Sequence, residues 1–140
     1  MSYRFLNHTG DVAARVRAAS LGALFADAAL ALTATLVEAE GVRPAARHEV
    51  SLEAATPDLL LVDWLNELVY RFDVDRFLVA QADVRVAARG GPWRLDATIF
   101  GEALDEARHP VRVPVKGVTY HQLAIEEVDG EVETTVVFDV

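Results

Sequence analysis

The sequence predicts an α+β fold in which two helices pack on one face of a curved, mainly antiparallel β-sheet. Three observations carry that expectation. Two segments repeat apolar residues at helical spacing, a short alternating segment precedes each of them, and the second half of the chain is nearly all strand signal. No repeat, linker or low-complexity tract breaks residues 1–140, so a single domain is expected.

Residues 12–18 place Val12, Ala14, Val16 and Ala18 on one side and Arg15 and Arg17 on the other, which is a half-buried strand. Ser20 suits the cap of a helix over 21–36, whose Leu21, Leu24, Phe25, Ala28, Leu32 and Leu36 form one stripe. Gly41 and Pro44 mark 37–47 as a connection, and His48 to Ala54 alternate again. The central element is the helix of 56–72. Thr56 can cap it, Pro57 fits a first position that needs no N–H partner, and Asp58 faces the positive end of the helix dipole. Leu61, Leu65, Leu68 and Phe72, widened by Leu60, Val62, Trp64 and Val69, make a stripe too broad for a water-facing helix. Its polar residues Asp63, Asn66, Glu67 and Tyr70 share one narrow face, either a solvated stripe or a docking ridge. Asp73 to Arg76 read as a turn, Phe77–Ala88 and Trp93–Phe100 as a hairpin closed by Gly90-Gly91-Pro92, and 101–110 as an acidic loop. Val111, Val113 and Val115 alternate, the parity switches across Lys116-Gly117 as at a bulge, and Val132–Val140 form the last strand.

With 22 acidic and 13 basic residues the net charge is −9, a field that repels phosphate backbones, so stable direct binding of nucleic acid is not expected. The absence of cysteine removes disulfides, thiolate nucleophiles and sulfur-ligated metals. The N-terminal Met1 to His8 holds no apolar run of signal-peptide length and no stretch approaches a membrane span, which predicts a cytoplasmic protein with no membrane partner. None of Ser2, Ser20 and Ser51 lies in a Gly-x-Ser-x-Gly turn, and no phosphate-binding glycine loop is present. His8, His48, His109 and His121 lack zinc spacing and read as surface or strand-end residues.

Two places suit a hard cation. In His8-Thr9-Gly10-Asp11, Thr9 and Asp11 supply oxygens immediately before a strand, while a plain turn into the strand is the alternative. At the other end, Asp139 adds its carboxylate to that of the terminal Val140, and a divalent ion would relieve their repulsion; a frayed terminus is the alternative. If the first long strand and the last were neighbours, Asp11, Asp139 and Val140 could share one ion. Lys116 is the only lysine beside 12 arginines, a compact ammonium suited to a carboxylate, phosphate or partner backbone that a planar guanidinium would not fit; a chance survivor of an arginine-biased composition is the alternative.

Four blocks, His8-Thr9-Gly10-Asp11, Leu61 to Leu68, Val115 to His121 and Val137 to Val140, together resemble the archease family, accessory proteins of the RNA ligase RtcB. Gly10 stands where that family commonly has alanine. The resemblance implies an α+β fold, no catalysis by the chain itself, and promotion of guanylylation and multiple turnover of the ligase in tRNA splicing or RNA repair. It further implies a calcium site at Asp11, Asp139 and Val140 and a functional lysine at Lys116. His8 and Asp63 are added as partner-facing residues. Two other readings remain open on the residues alone: a small metal-dependent phosphoester hydrolase with His8 as general base, and a metal-free adaptor using Asp63, Asn66 and Glu67.

Overall fold

The computed structural model describes residues 3–6, 11–119 and 123–140. Its strands are β1 (Tyr3–Leu6), β2 (Val12–Ala18), β3 (Ala46–Ala54), β4 (Phe77–Ala88), β5 (Trp93–Ala103), β6 (Gly117–Val118), β7 (Glu126–Val128) and β8 (Glu131–Asp139). Its helices are α1 (Leu21–Leu36) and α2 (Pro57–Asp75), with a 3-10 turn at Ala39–Gly41. The α+β class holds, with two helices and antiparallel strands, but the strands divide between two sheets. One has the order β1-β2-β8-β6, with β7 also on β8, and the other is β3-β5-β4. The expected alternation at Val111, Val113 and Val115 makes no strand, because Pro110 and Pro114 have no N–H to give a ladder. Strand pairing there is confined to Gly117–Val118.

Both helices start as the sequence predicts. Ser20 Oγ accepts the Ala23 N–H at 3.2 Å, and Thr56 Oγ1 accepts that of Leu59 at 3.2 Å. α2 runs three residues past the predicted end at Phe72, because Arg76 adopts a left-handed φ of 55° and donates its N–H to Phe72 O. The expected turn at Asp73–Asp75 is the last helical turn. The helices hold the two sheets together: α1 packs on β2 and β4, and α2 packs on β3, β4, β5 and β6. Trp64 of α2 is fully buried and its indole N–H donates to Phe25 O of α1 at 2.9 Å, so the largest core side chain leaves no polar atom unpaired.

Sheet edges decide much of the remaining packing. Carbonyl oxygens lie in the plane of a sheet, so a helix that meets them lies beside the strand rather than beneath it. A Cβ on Gly22 would stand 2.3 Å from Val84 O, and Thr33 Oγ1 donates to Val79 O at 2.7 Å. α1 therefore runs along the outer edge of β4 and covers it, and Gly22 is the residue whose missing side chain allows the approach. At the edge of the other sheet, Asn66 Oδ1 accepts the Val118 N–H at 2.9 Å and Asn66 Nδ2 donates to Val118 O at 3.4 Å. The side-chain amide imitates a strand residue. Two turns earlier on α2, Asp58 Oδ1 accepts the Ile125 N–H at 3.1 Å. Asn66, part of the polar stripe expected to be solvated or to dock a partner, is thus bound to the chain's own β6, and Asp58 of the first turn to the segment after it.

The acidic loop 101–110 has more structure than its composition suggests. His109 is 1% exposed. Its Nδ1 accepts the Asp105 N–H at 3.0 Å, so Nε2 carries the proton and donates to Gly41 O at 3.1 Å and Glu102 Oε2 at 3.0 Å. The expectation of a surface histidine fails here, because burial is set by the chain folding back over residues far away in sequence. Glu102 also accepts the Arg43 N–H at 2.8 Å and pairs with Arg108. Arg108 beside it, then those further donors, hold the Glu102 carboxyl at about 2, well below its usual 4.5.

Two outcomes are expected. Asn66→Ala strands the Val118 amide and carbonyl and lowers unfolding free energy by about 1–3 kcal/mol in denaturant titration, with amide exchange at Val118 accelerated. A carboxylate with a depressed value adds stability that is complete above about 4.5 and disappears as the pH falls toward about 2. Glu102→Gln should therefore be less stable than wild type at neutral pH by thermal melting, and the gap should close between those two pH values.

Candidate functional site

β8 is the central strand of the five-stranded sheet, and three candidate residues meet around its end. β2 runs antiparallel to β8 with Val12 opposite Phe138 and Ala18 opposite Val132. On the other side, Gly117 is opposite Asp139 and Val118 opposite Phe138. Asp11 is a bend immediately before Val12; the β2 register continued by one residue would bring it level with Asp139, on the same face of the sheet. Directly opposed residues have Cβ atoms about 5 Å apart. Lys116 lies on the far side of β8, where its N–H donates to Asp139 O at 2.7 Å. Residues 11, 116 and 139 thus occupy one end of three adjacent strands.

Their surroundings differ. Lys116 and Asp139 are exposed, whereas Asp11 and Val140 are half-buried. Toward the interior the same strand ends rest on buried Val118 and Phe138. Farther along the face that carries Asp11 and Asp139, charges are paired: Arg15 bonds Thr135 at 2.8 Å and pairs with Glu133, and Arg17 Nε meets Glu131 at 2.8 Å.

Carboxylate oxygens suit a hard cation rather than zinc, and that donor chemistry fits calcium. The fit has a limit. No three His, Asp or Glu side chains among the described residues stand close enough to hold a metal. A calcium ion here would need the carboxylate of Val140 or other oxygens beside those of Asp11 and Asp139. The Asp139 carbonyl already accepts the Lys116 N–H.

Of the remaining sequence candidates, His8 lies outside the described residues, as do Thr9 and His121. Asp63 is half-buried on α2, one turn before Asn66. Asn66 is the site residue whose role the sequence reading missed. By fixing Val118 it sets the path of Lys116-Gly117, and a Cβ on Gly117 would stand 3.3 Å from its Oδ1. A polar residue on the apolar flank of a helix was the available signal, but its spacing was equally that of a solvated stripe.

Comparison with known proteins agrees with this architecture. Residues 3–140 match the model of the Archease protein family. The chain is 36% identical over 132 residues to the protein archease of Methanopyrus kandleri, covering 93% of each chain. It is 32% identical to that of Archaeoglobus fulgidus over 140 residues, covering the whole of both. The solution structure of protein 1598 of Methanobacterium thermoautotrophicum superimposes with a TM-score of 0.88 at 27% identity, over 99% of each chain. A crystal structure from Thermotoga maritima, described as an archease and possible chaperone, gives 0.59 at 18% identity, over 96% of this chain and 94% of that one, a likeness of fold alone. No helix of the described residues is long and apolar enough to cross a membrane. With a family model spanning nearly every residue and relatives above 30% identity over 93% or more of their length, the chain belongs to the archease family.

Proposed function

We propose that this chain is a non-catalytic accessory protein of the RNA ligase RtcB, acting in the cytoplasm on tRNA splicing or RNA repair. It promotes guanylylation of the ligase and so its multiple turnover. In this reading Asp11, Asp139 and the carboxylate of Val140 hold calcium, which supplies positive charge and fixes the carboxylates in one orientation. Lys116, His8 and Asp63 face the ligase. The observation that carries the reading is the β2-β8-β6 order, which sets Asp11, Asp139 and Lys116 side by side from three distant parts of the chain.

The chain's own groups account for the task in physical terms. Three paired strand ends fix the backbone that carries an ammonium and a pair of carboxylates, so that little backbone ordering is lost on docking. An activator shifts its partner only as far as it binds one state better than the other. An acidic cluster beside a lone lysine gives such a preference for a ligase conformation with complementary charge.

Ligation by RtcB with RNA ends in excess over ligase tests this directly. Wild-type chain is expected to convert a single round into many, and Asp11→Ala, Asp139→Ala and Lys116→Ala each to lower the stimulated rate about tenfold, the equivalent of about 1.4 kcal/mol. Unchanged turnover with wild-type chain, or phosphoester hydrolysis by the chain alone with added divalent metal, would contradict it. Titration calorimetry with calcium is expected to give binding to the wild type and a loss of at least about tenfold in Asp139→Ala. A silent wild-type titration removes the calcium part of the reading.

A further inference from the structure

The two sheets treat their edges unequally. α1 covers the outer edge of β4 through Gly22 and Thr33, Asn66 closes β6, and β1 and β7 are only four and three residues long. β3 is different. It is a nine-residue edge strand that pairs with β5 on one side, and among the described residues no backbone hydrogen bond from another element reaches its other side. Residues 46–49, 51 and 53 are exposed. An open edge of that length is a template for another strand.

We infer that β3 is a self-association surface, pairing antiparallel with β3 of a second copy of this chain to join two three-stranded sheets into one of six. The argument for a second copy is charge complementarity within the strand. A two-fold axis normal to the sheet sets residues of equal parity opposite each other and keeps each on its own face. An axis through Val50 uses all nine residues. It sets Arg47 opposite Glu53 of the second copy, twice by symmetry, and Glu49 opposite the uncharged Ser51, whose hydroxyl donates to Asp96 of its own copy at 2.8 Å. On the inner face it sets His48 opposite Leu52 and Val50 opposite itself.

Neighbouring registers are worse. An axis at Glu49 opposes two Glu49 carboxylates, and one at Ser51 opposes Glu49 to Glu53; an axis at His48 leaves four of the nine residues beyond the ladder. The His48 axis also opposes Arg47 to Glu49, so charge and ladder length together select the Val50 register, which is how a specific interface avoids slippage. The pairs that Arg47 and Glu53 make within one copy, Arg47 with Glu49 at 2.9 Å and Glu53 with Arg94 at 3.3 Å, are solvent-exposed, and such pairs are exchanged at little cost.

Sedimentation velocity of the full chain over a concentration series decides the matter, with circular dichroism verifying that each variant is folded. Wild type is expected to form a dimer, and Arg47→Glu or Glu53→Arg to weaken it about tenfold by placing like charges opposite each other. The double variant restores the pairs in reverse and should recover the wild-type constant. A wild type that stays monomeric up to its solubility limit overturns the inference. So does a dimer indifferent to either single variant, or a double variant no tighter than the singles.

Discussion

The pairing of β2 with β8 is the constraint on which the other features depend. It joins residues 12–18 to residues 132–138, so its loop-closure cost is met only because both strands bury one face against α1. Val16, Val136 and Phe138 are fully buried there, and burial of that kind contributes about 1.5–3 kcal/mol for each large apolar side chain. Once β8 is the central strand, β6 has an edge to join, Asn66 has a backbone to imitate, and the residues following β6 are tied to α2 at Asp58.

That arrangement connects packing to the site. Asp11, Lys116 and Asp139 belong to three segments that have no sequence proximity, and each is positioned by a different device. The β2 register positions Asp11, the β8 ladder positions Asp139, and the Lys116 N–H on Asp139 O, with Asn66 behind it, positions Lys116. The helix that dominates the core therefore also shapes the surface. α2 contributes Trp64 to the interior and Asn66 to the strand edge two residues later, so two different sides of a single turn serve the two purposes.

Much of the fold was legible because its signals are local. Both caps, the α1 boundaries, β2 and the long hairpin follow from residue type and period. The parts that were not legible have tertiary causes. β1 was overlooked because Tyr3 to Leu6 owe their strand state to β2 rather than to any pattern of their own. β7 was missed although Asp129 and Gly130, both with positive φ, form the kind of two-residue turn that an Asp-Gly pair announces. The division into two sheets could not be read, since nothing in an alternating strand states which strand it will join. At the site, the residue types at Asp11, Asp139 and Lys116 were visible in the sequence, and so was the condition under which Asp11 and Asp139 would meet, but not the arrival of Lys116 beside them. Asn66 and the buried His109 were not, because a polar side chain reveals its partner only when a distant segment arrives beside it.

The account rests most directly on the meeting of Asp11 and Asp139 across β2 and β8. The chain contains no cysteine, so Asp11→Cys/Asp139→Cys carries spin labels at those two places alone. Directly opposed residues, with Cβ atoms about 5 Å apart, predict strong dipolar broadening in the doubly labelled protein. A spectrum equal to the sum of the two singly labelled proteins would contradict the arrangement.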